Sequence, residues 1–214
     1  MKKIYSRLLL LVILIACATP VKAQFRYAAV AGIAIDNLKF SQDLFPVDKM
    51  TGFQAGVMGE MMFPGIGFGI DFGLLYNMMG AKTDLGTHKI WSSDGFGKNT
   101  NAIHMLQIPF HLRFKWTRMG GFEDYIAPFV SGGPDFGILV GHSNIKGNPG
   151  IENPFVYSHG DLGLSVGGGF ELFRRWQVGV QYTWGMGYLT KTRKLDNLAA
   201  RNRQWLFRVT YFIK

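Results

Sequence analysis

The sequence predicts an all-β fold, an eight-stranded antiparallel up-and-down transmembrane β-barrel, and three observations predict it. Long segments alternate strictly between bulky apolar residues and a second face of small or polar ones. That second face is too small and too sparsely charged to be a water-exposed surface. The segments are joined by connections that are alternately short and long, which is the plan of an outer-membrane barrel. Composition agrees: 28 of 214 residues are glycine, 14% are aromatic and only 17% are charged, against roughly 7% glycine and ~25% charged in ordinary soluble domains. A helical bundle and a disordered chain are both excluded on that basis. The one cysteine rules out a disulfide framework and a Cys-based zinc site.

The chain opens with Lys2, Lys3 and Arg7, followed by the apolar run Leu8 to Ala16. Nine residues are too few to cross a bilayer as a helix, which takes ~20. Val21-Lys22-Ala23 then offers a peptidase site, so residues 1–23 read as a cleaved secretory signal peptide and 24–214 as the barrel domain. Leu14-Ile15-Ala16-Cys17 is a competing lipobox, in which Cys17 would be lipidated. Cleavage after Ala23 removes four of the 23 Lys and Arg, leaving 19 against 14 Asp and Glu, a net charge of +5 in place of +9.

No later stretch reaches 18 apolar residues, so helical spans are excluded. Strands are predicted at about 26–36, 51–63, 66–79, 103–117, 125–140, 158–172, 176–188 and 203–213. Ile66 to Met79 sets Phe68, Ile70, Phe72 and Leu74 on one face and Gly67, Gly69, Asp71 and Gly73 on the other. In the fourth strand Leu106, Ile108, Phe110, Leu112 and Trp116 oppose Gln107, Pro109, His111, Arg113 and Lys115. The sixth opposes Leu162, Leu164, Val166 and Phe170 to Asp161, Gly163, Ser165, Gly167 and Gly169, and the last carries Trp205, Phe207 and Val209 against Gln204, Arg208 and Thr210. Pro64-Gly65, 118–124 and 173–175 are short connections; 37–50, 80–102, 141–157 and 189–202 are long.

Eight strands leave an interior only just filled by side chains. The crowded inside therefore takes the small face and lipid takes the aromatic one. Trp116, Tyr125, Trp176 and Tyr211 suit a girdle at the short-turn rim, and Tyr76, Trp184 and Trp205 one at the long-loop rim. The alternative is a soluble periplasmic carrier of lipocalin type with the aromatic face inward. The terminal Tyr211-x-Ile213 is similar to the apolar ending of outer-membrane barrels, although Lys214 follows it.

Met105-Leu106-Gln107-Ile108-Pro109-Phe110-His111-Leu112-Arg113-Phe114 resembles the Leu-x-Ile-Pro strand of the PorT-like outer-membrane β-barrel family of Bacteroidetes. Ala127-Pro128-Phe129 through Gly132-Gly133-Pro134 is similar to that family's next strand, and Asp161 to Glu171 to its later Gly-rich strand. The resemblance implies the barrel fold. Most of the family has no assigned function, and its founding member takes part in secretion across the outer membrane.

Functional candidates follow from charge. Glu60, Asp71, Asp135, Asp161, Glu171, Arg113, Lys115 and Arg208 are predicted to point inward, where charges must be paired. They would form an ion-pair plug, giving little or no steady conductance. Lys191, Arg193, Lys194, Arg201 and Arg203 cluster around the last long connection and would contact lipopolysaccharide phosphate if that rim faces outward. A rim enzyme acting on lipid A would have His104, His111, Ser158 and His159 available, but Ser158 and His159 are neighbours and point to opposite faces of a strand. Gly95 to Thr100 lacks the first glycine and the final Ser or Thr of a phosphate loop. No cofactor motif or metal spacing occurs. The expected partners are outer-membrane lipid, lipopolysaccharide and envelope or secretion proteins, and compartment argues against nucleic acid. The leading reading is a non-enzymatic outer-membrane barrel whose loops bind or tether.

Overall fold

The computed structural model describes residues 24–195 and 197–213; the segment assigned to export, Cys17 included, lies outside them. Ten strands form in the order β1 (Gln24–Phe40), β2 (Val47–Met62), β3 (Phe68–Asp84), β4 (Lys98–Lys115), β5 (Ile126–His142), β6 (Phe155–Tyr157), β7 (Gly160–Leu172), β8 (Trp176–Gly185), β9 (Thr190–Thr192) and β10 (Ala199–Ile213). A single helical turn, α1 (Lys89–Ser92), lies in the connection before β4. The eight long strands pair as antiparallel neighbours, β1-β2-β3-β4-β5-β7-β8-β10, and β1 pairs β10 to close the barrel. That seam runs from Tyr27 opposite Ile213 to Phe40 opposite Ala200.

The predicted faces hold. Leu112, 67% exposed, shares the outer wall with Ile108 and Phe110, as do Leu164 with Phe170 and Trp205 with Phe207. Gln107, His111, Arg113, Ser165 and Gln204 are buried inside. The soluble-carrier alternative is thereby reversed, since the aromatic face is the outer one. Its rings form two belts: Trp176 lies 4.6 Å from Tyr211 at the short-turn rim, and Tyr182 lies 4.5 Å from Trp184 and 4.7 Å from Trp205 at the other.

Several strand ends differ from the sequence expectation. β1 continues to Phe40, β2 begins at Val47, β3 reaches Asp84 and β4 starts at Lys98, so the connection expected at 37–50 contracts to 41–46. Backbone pairing carries these extensions, with Val47 opposite Thr83 and Asp84 opposite Lys98, past the point where the apolar alternation stops. β3 begins later than expected, because Gly65 and Gly67 adopt φ +83° and +74° and keep Ile66 in the turn. Where β8 stops at Gly185, the unforeseen β9 takes its place beside Ala199 and Ala200 of β10, and β6 pairs β9.

Pro109 sits inward on β4 with no N–H to give, and the β3–β4 ladder skips from Phe72–Phe110 to Leu75–Gln107 around it. The turn after β7 places Phe173 and Arg174 at φ 52° and 58°. This left-handed geometry suits a tight hairpin but is unusual for bulky residues. It is held from both sides: the Phe173 N–H donates to the Tyr125 carbonyl at 2.9 Å, and Arg26 Nη1 donates to the Arg174 carbonyl at 3.0 Å.

Candidate functional site

In the short-turn half of the lumen, inward positions of β1, β2, β3, β4 and β7 bring three cations onto three carboxylates. Arg113 lies 3.0 Å from Glu60 and 2.7 Å from Asp71. Lys115 lies 3.4 Å from Glu60 and 3.2 Å from Glu171. Arg26 donates Nε to Glu60 at 3.0 Å and Nη2 to Glu171 at 2.5 Å, and its guanidinium lies 3.9 Å from the Phe212 ring centroid. Gln177 of β8 donates to both glutamates, at 3.2 and 2.8 Å. Opposed charges taken out of water need this density of partners to be tolerated.

Sequence reasoning missed Arg26. Its signal was present: Arg26, Ala28, Gly32, Ala34 and Asp36 share one parity of β1, the small-or-charged face. It stands near the start of the strand, where few preceding residues define the alternation.

Midway up the lumen, a chain of side chains continues the filling. Arg208 donates to Gln54 at 3.0 Å, Gln54 to Gln107 at 2.9 Å, Asn77 to Gln107 at 3.1 Å and to Gln204 at 3.2 Å, and Gln204 to Asp36 at 2.7 Å. Three members of the expected plug depart from it, Asp135 among them, which takes His111 and Ser165 in place of a Lys or Arg. Arg208 takes a neutral amide and lies 3.8 Å from the Met58 sulfur, with no carboxylate in ion-pair range among the described residues. Asp161, at the outer end of β7, likewise has no ion pair among the described residues. The reason is depth: the glutamates that gather cations lie at the opposite rim. Between Arg208, Arg113 and Gln181 is a void of about 20 Å³, room for about one water.

The residues considered for rim chemistry are scattered. His104 is on the outer wall, with Nδ1 2.6 Å from the Tyr76 hydroxyl. Ser158 bonds the Gly160 carbonyl at 2.8 Å, and His159 is exposed beside it. His111 is inside, with Nε2 2.9 Å from Asp135 Oδ1. Ser165 also bonds Asp135, and its Oγ lies 2.7 Å from Thr183 Oγ1. Here the carboxylate stands between serine and histidine, whereas an activated nucleophile needs the base in the middle. No cluster of three or more His, Cys, Asp or Glu suited to a metal occurs among the described residues.

At the long-loop end the inward face turns apolar, a change that alternation alone does not reveal. Leu38, Phe40, Met79 and Ile103 from the wall pack with Phe45, Trp91, Phe155 and Leu198 from the connections into one buried cluster. Trp91 of α1 has no exposed surface and lies 5.4 Å from Phe45, edge to face. Tyr157 donates to Asn101 at 2.7 Å, and burial pushes its phenol up to about 12, so it remains a donor.

The outer connections are also tied to one another. Asn148 N–H donates to the Asp94 carbonyl at 2.7 Å, and Ser41 Oγ to the Asn197 carbonyl at 2.7 Å. Two of the five residues grouped for phosphate contact serve this stitching: Arg193 pairs with Glu152 at 2.8 Å, and Lys194 with Asp94 at 2.5 Å. Lys191 and Arg201 are exposed, and Arg203 caps the Gly185 and Asn202 carbonyls at 3.0 and 2.9 Å.

A closed barrel with a filled lumen, aromatic belts and an apolar outer wall is the architecture of a bacterial outer-membrane protein. The family model described as outer membrane protein beta-barrel domain matches residues 22–191. The chain belongs to that family. None of the curated proteins matches it. Among solved structures, this outer-membrane barrel is similar to OprG from Pseudomonas aeruginosa, with a TM-score of 0.52 and 12% identity over 90% of this chain and 97% of that one. Ail, the attachment invasion locus protein of Yersinia pestis, solved with the heparin analogue sucrose octasulfate, aligns at TM-score 0.44 and 13% identity over 88% of this chain and 99% of its own. The outer membrane enzyme PagL aligns at 0.40 and 10%, over 83% and 97%. At such identities the likeness bears on the fold alone. The protein is an integral outer-membrane β-barrel.

Proposed function

We propose that this barrel is non-enzymatic and non-conducting, and that its outer connections form a rigid platform that binds or tethers a component of an envelope or secretion assembly. The observation that carries this reading is the double closure of the lumen. Ion pairs around Glu60 fill the short-turn half, and the apolar cluster around Trp91 fills the other. Connections stitched by Arg193–Glu152, Lys194–Asp94 and the β6–β9 pair are ordered in advance, which lowers the entropy cost of recognition. Membership of the PorT-like branch is part of the same reading. It is supported by Leu106-x-Ile108-Pro109, where the proline falls at the interruption of the β3–β4 ladder. Export through the signal segment 1–23 completes it.

Two measurements on refolded protein test the proposal. Planar bilayers should show a flat baseline, and stable nanosiemens steps would overturn the closed lumen. Incubation with lipid A followed by mass spectrometry should leave the lipid unchanged; loss or gain of an acyl chain that depends on His104 or His159 would make the protein an enzyme.

A further inference from the structure

The outer end of the seam between β1 and β10 concentrates positive charge that the protein itself does not neutralise. Lys39 and Arg201 are direct partners across this seam, both outward and both exposed. Like charges directly opposite one another weaken strand pairing. Arg203 lies two residues further along the same outward face, and Lys191 is exposed on neighbouring β9. Among the described residues, no carboxylate lies within 4.0 Å of a charged nitrogen of any of these four, unlike Arg193 and Lys194 nearby. The Arg201 guanidinium sits 4.7 Å from the Tyr188 ring centroid, which fixes its plane and leaves its N–H edge available.

Depth and shape supply a second, independent observation. Directly below this cluster on β10 is Trp205, in the belt with Tyr182 and Trp184. The charges therefore stand at headgroup level. Further down the same seam, Ala31, Ile33 and Phe207 border a groove of about 710 Å³ on the outer wall, floored where Gly168 leaves β7 without a side chain. Ile33 and Phe207 are partners six residues below Lys39 and Arg201. At ~3.3 Å per residue and ~45° of tilt that is a drop of about 14 Å, close to one leaflet of a hydrocarbon core ~30 Å thick.

We propose that the β1–β10 seam binds one phosphorylated lipid of the outer leaflet. Lys39 and Arg201 take its phosphate, Arg203 and Lys191 flank it, and an acyl chain lies in the groove beside Ala31. This site is independent of whether the outer connections tether a partner. It also differs from the cluster expected from sequence, exchanging Arg193 and Lys194 for Lys39, which lies on the first strand.

Native mass spectrometry of the refolded barrel tests it, using bisphosphorylated lipid A and the same lipid with its phosphates removed. The expected result is a one-to-one adduct at least tenfold favoured for the phosphorylated form, since charge-assisted bonds of this kind are roughly twice as strong as neutral ones. The double variant Lys39→Gln/Arg201→Gln should lose that preference, while Lys82→Gln/Lys98→Gln, on exposed positions of β3 and β4, should keep it. Ala31→Phe, which fills the groove, should weaken both lipids. Equal binding of the two lipids by the wild type would overturn the proposal, as would an adduct unaffected by Lys39→Gln/Arg201→Gln. Displacement of the lipid by 10 mM inorganic phosphate would mark a free-anion site and overturn the lipid assignment. If the double variant does not refold, the wild-type comparison decides alone.

Discussion

Glu60 has no exposed surface, and Arg26, Arg113 and Lys115 all converge on it. A buried carboxylate among three cations is costly to remove, because the remaining charges keep their desolvation penalty and lose part of their compensation. Removing one partner of a buried pair costs roughly 3–5 kcal/mol. Glu60→Gln should therefore lower the unfolding free energy, measured by urea titration in detergent, by about 3 kcal/mol. Asp124→Asn breaks only the exposed pair with Arg174 and should cost under ~1 kcal/mol. Equal, small effects of the two changes would mean that the lumen is hydrated and screened, contrary to a filled interior.

At the scale of elements, β7 and β8 show why the sequence between Gly163 and Gly169 is so poor in side chains. A Cβ on Gly169 would lie 2.0 Å from the Val178 carbonyl oxygen, and one on Gly167 would lie 2.6 Å from that of Val180. Backbone cannot yield as a flexible side chain can, so these glycines set how closely the two strands approach. Gly169→Ala should destabilise the barrel by about 2 kcal/mol, in the range typical of overpacking. Gly97→Ala, where an added Cβ meets nothing within 4 Å, should stay within ~0.5 kcal/mol in the same urea titration. Alternation in the sequence accounts for the inward glycines. It does not account for Gly168, which faces outward and forms the floor of the groove on the outer wall.

For the whole molecule, two stabilising systems are stacked along one axis. The barrel closes through continuous backbone pairing between β1 and β10, while the outer mouth closes through side chains packed around Trp91. The first depends on hydrogen bonds that lipid cannot replace, the second on apolar burial. Trp91→Ala should cost the outer cluster roughly 3–5 kcal/mol. The outer connections should then become open to proteolysis while the unboiled protein keeps its heat-shifted band on an SDS gel. Loss of that band together with protection would show the cap and the barrel to be one cooperative unit.

What the sequence determined by itself was the count of eight barrel strands, the closed antiparallel plan and which face meets lipid. Each of these rests on a period of two and on residue size, properties local to a few neighbouring positions. It also placed Glu60, Asp71, Arg113, Lys115 and Glu171 on the inner face. Tertiary structure alone decided which of those charges meet, because Arg113 with Glu60 and Lys115 with Glu171 join strands that are not paired neighbours, across the lumen. Arg26, opposite Glu60 on the paired strand β2, likewise reaches across the lumen to Glu171, and closure of the seam sets Lys39 opposite Arg201. The apolar cap escaped the pattern: it joins wall residues such as Leu38 and Met79 to residues of connections that have no period, and only their convergence over the barrel mouth gives Trp91 and Phe155 something to be buried against.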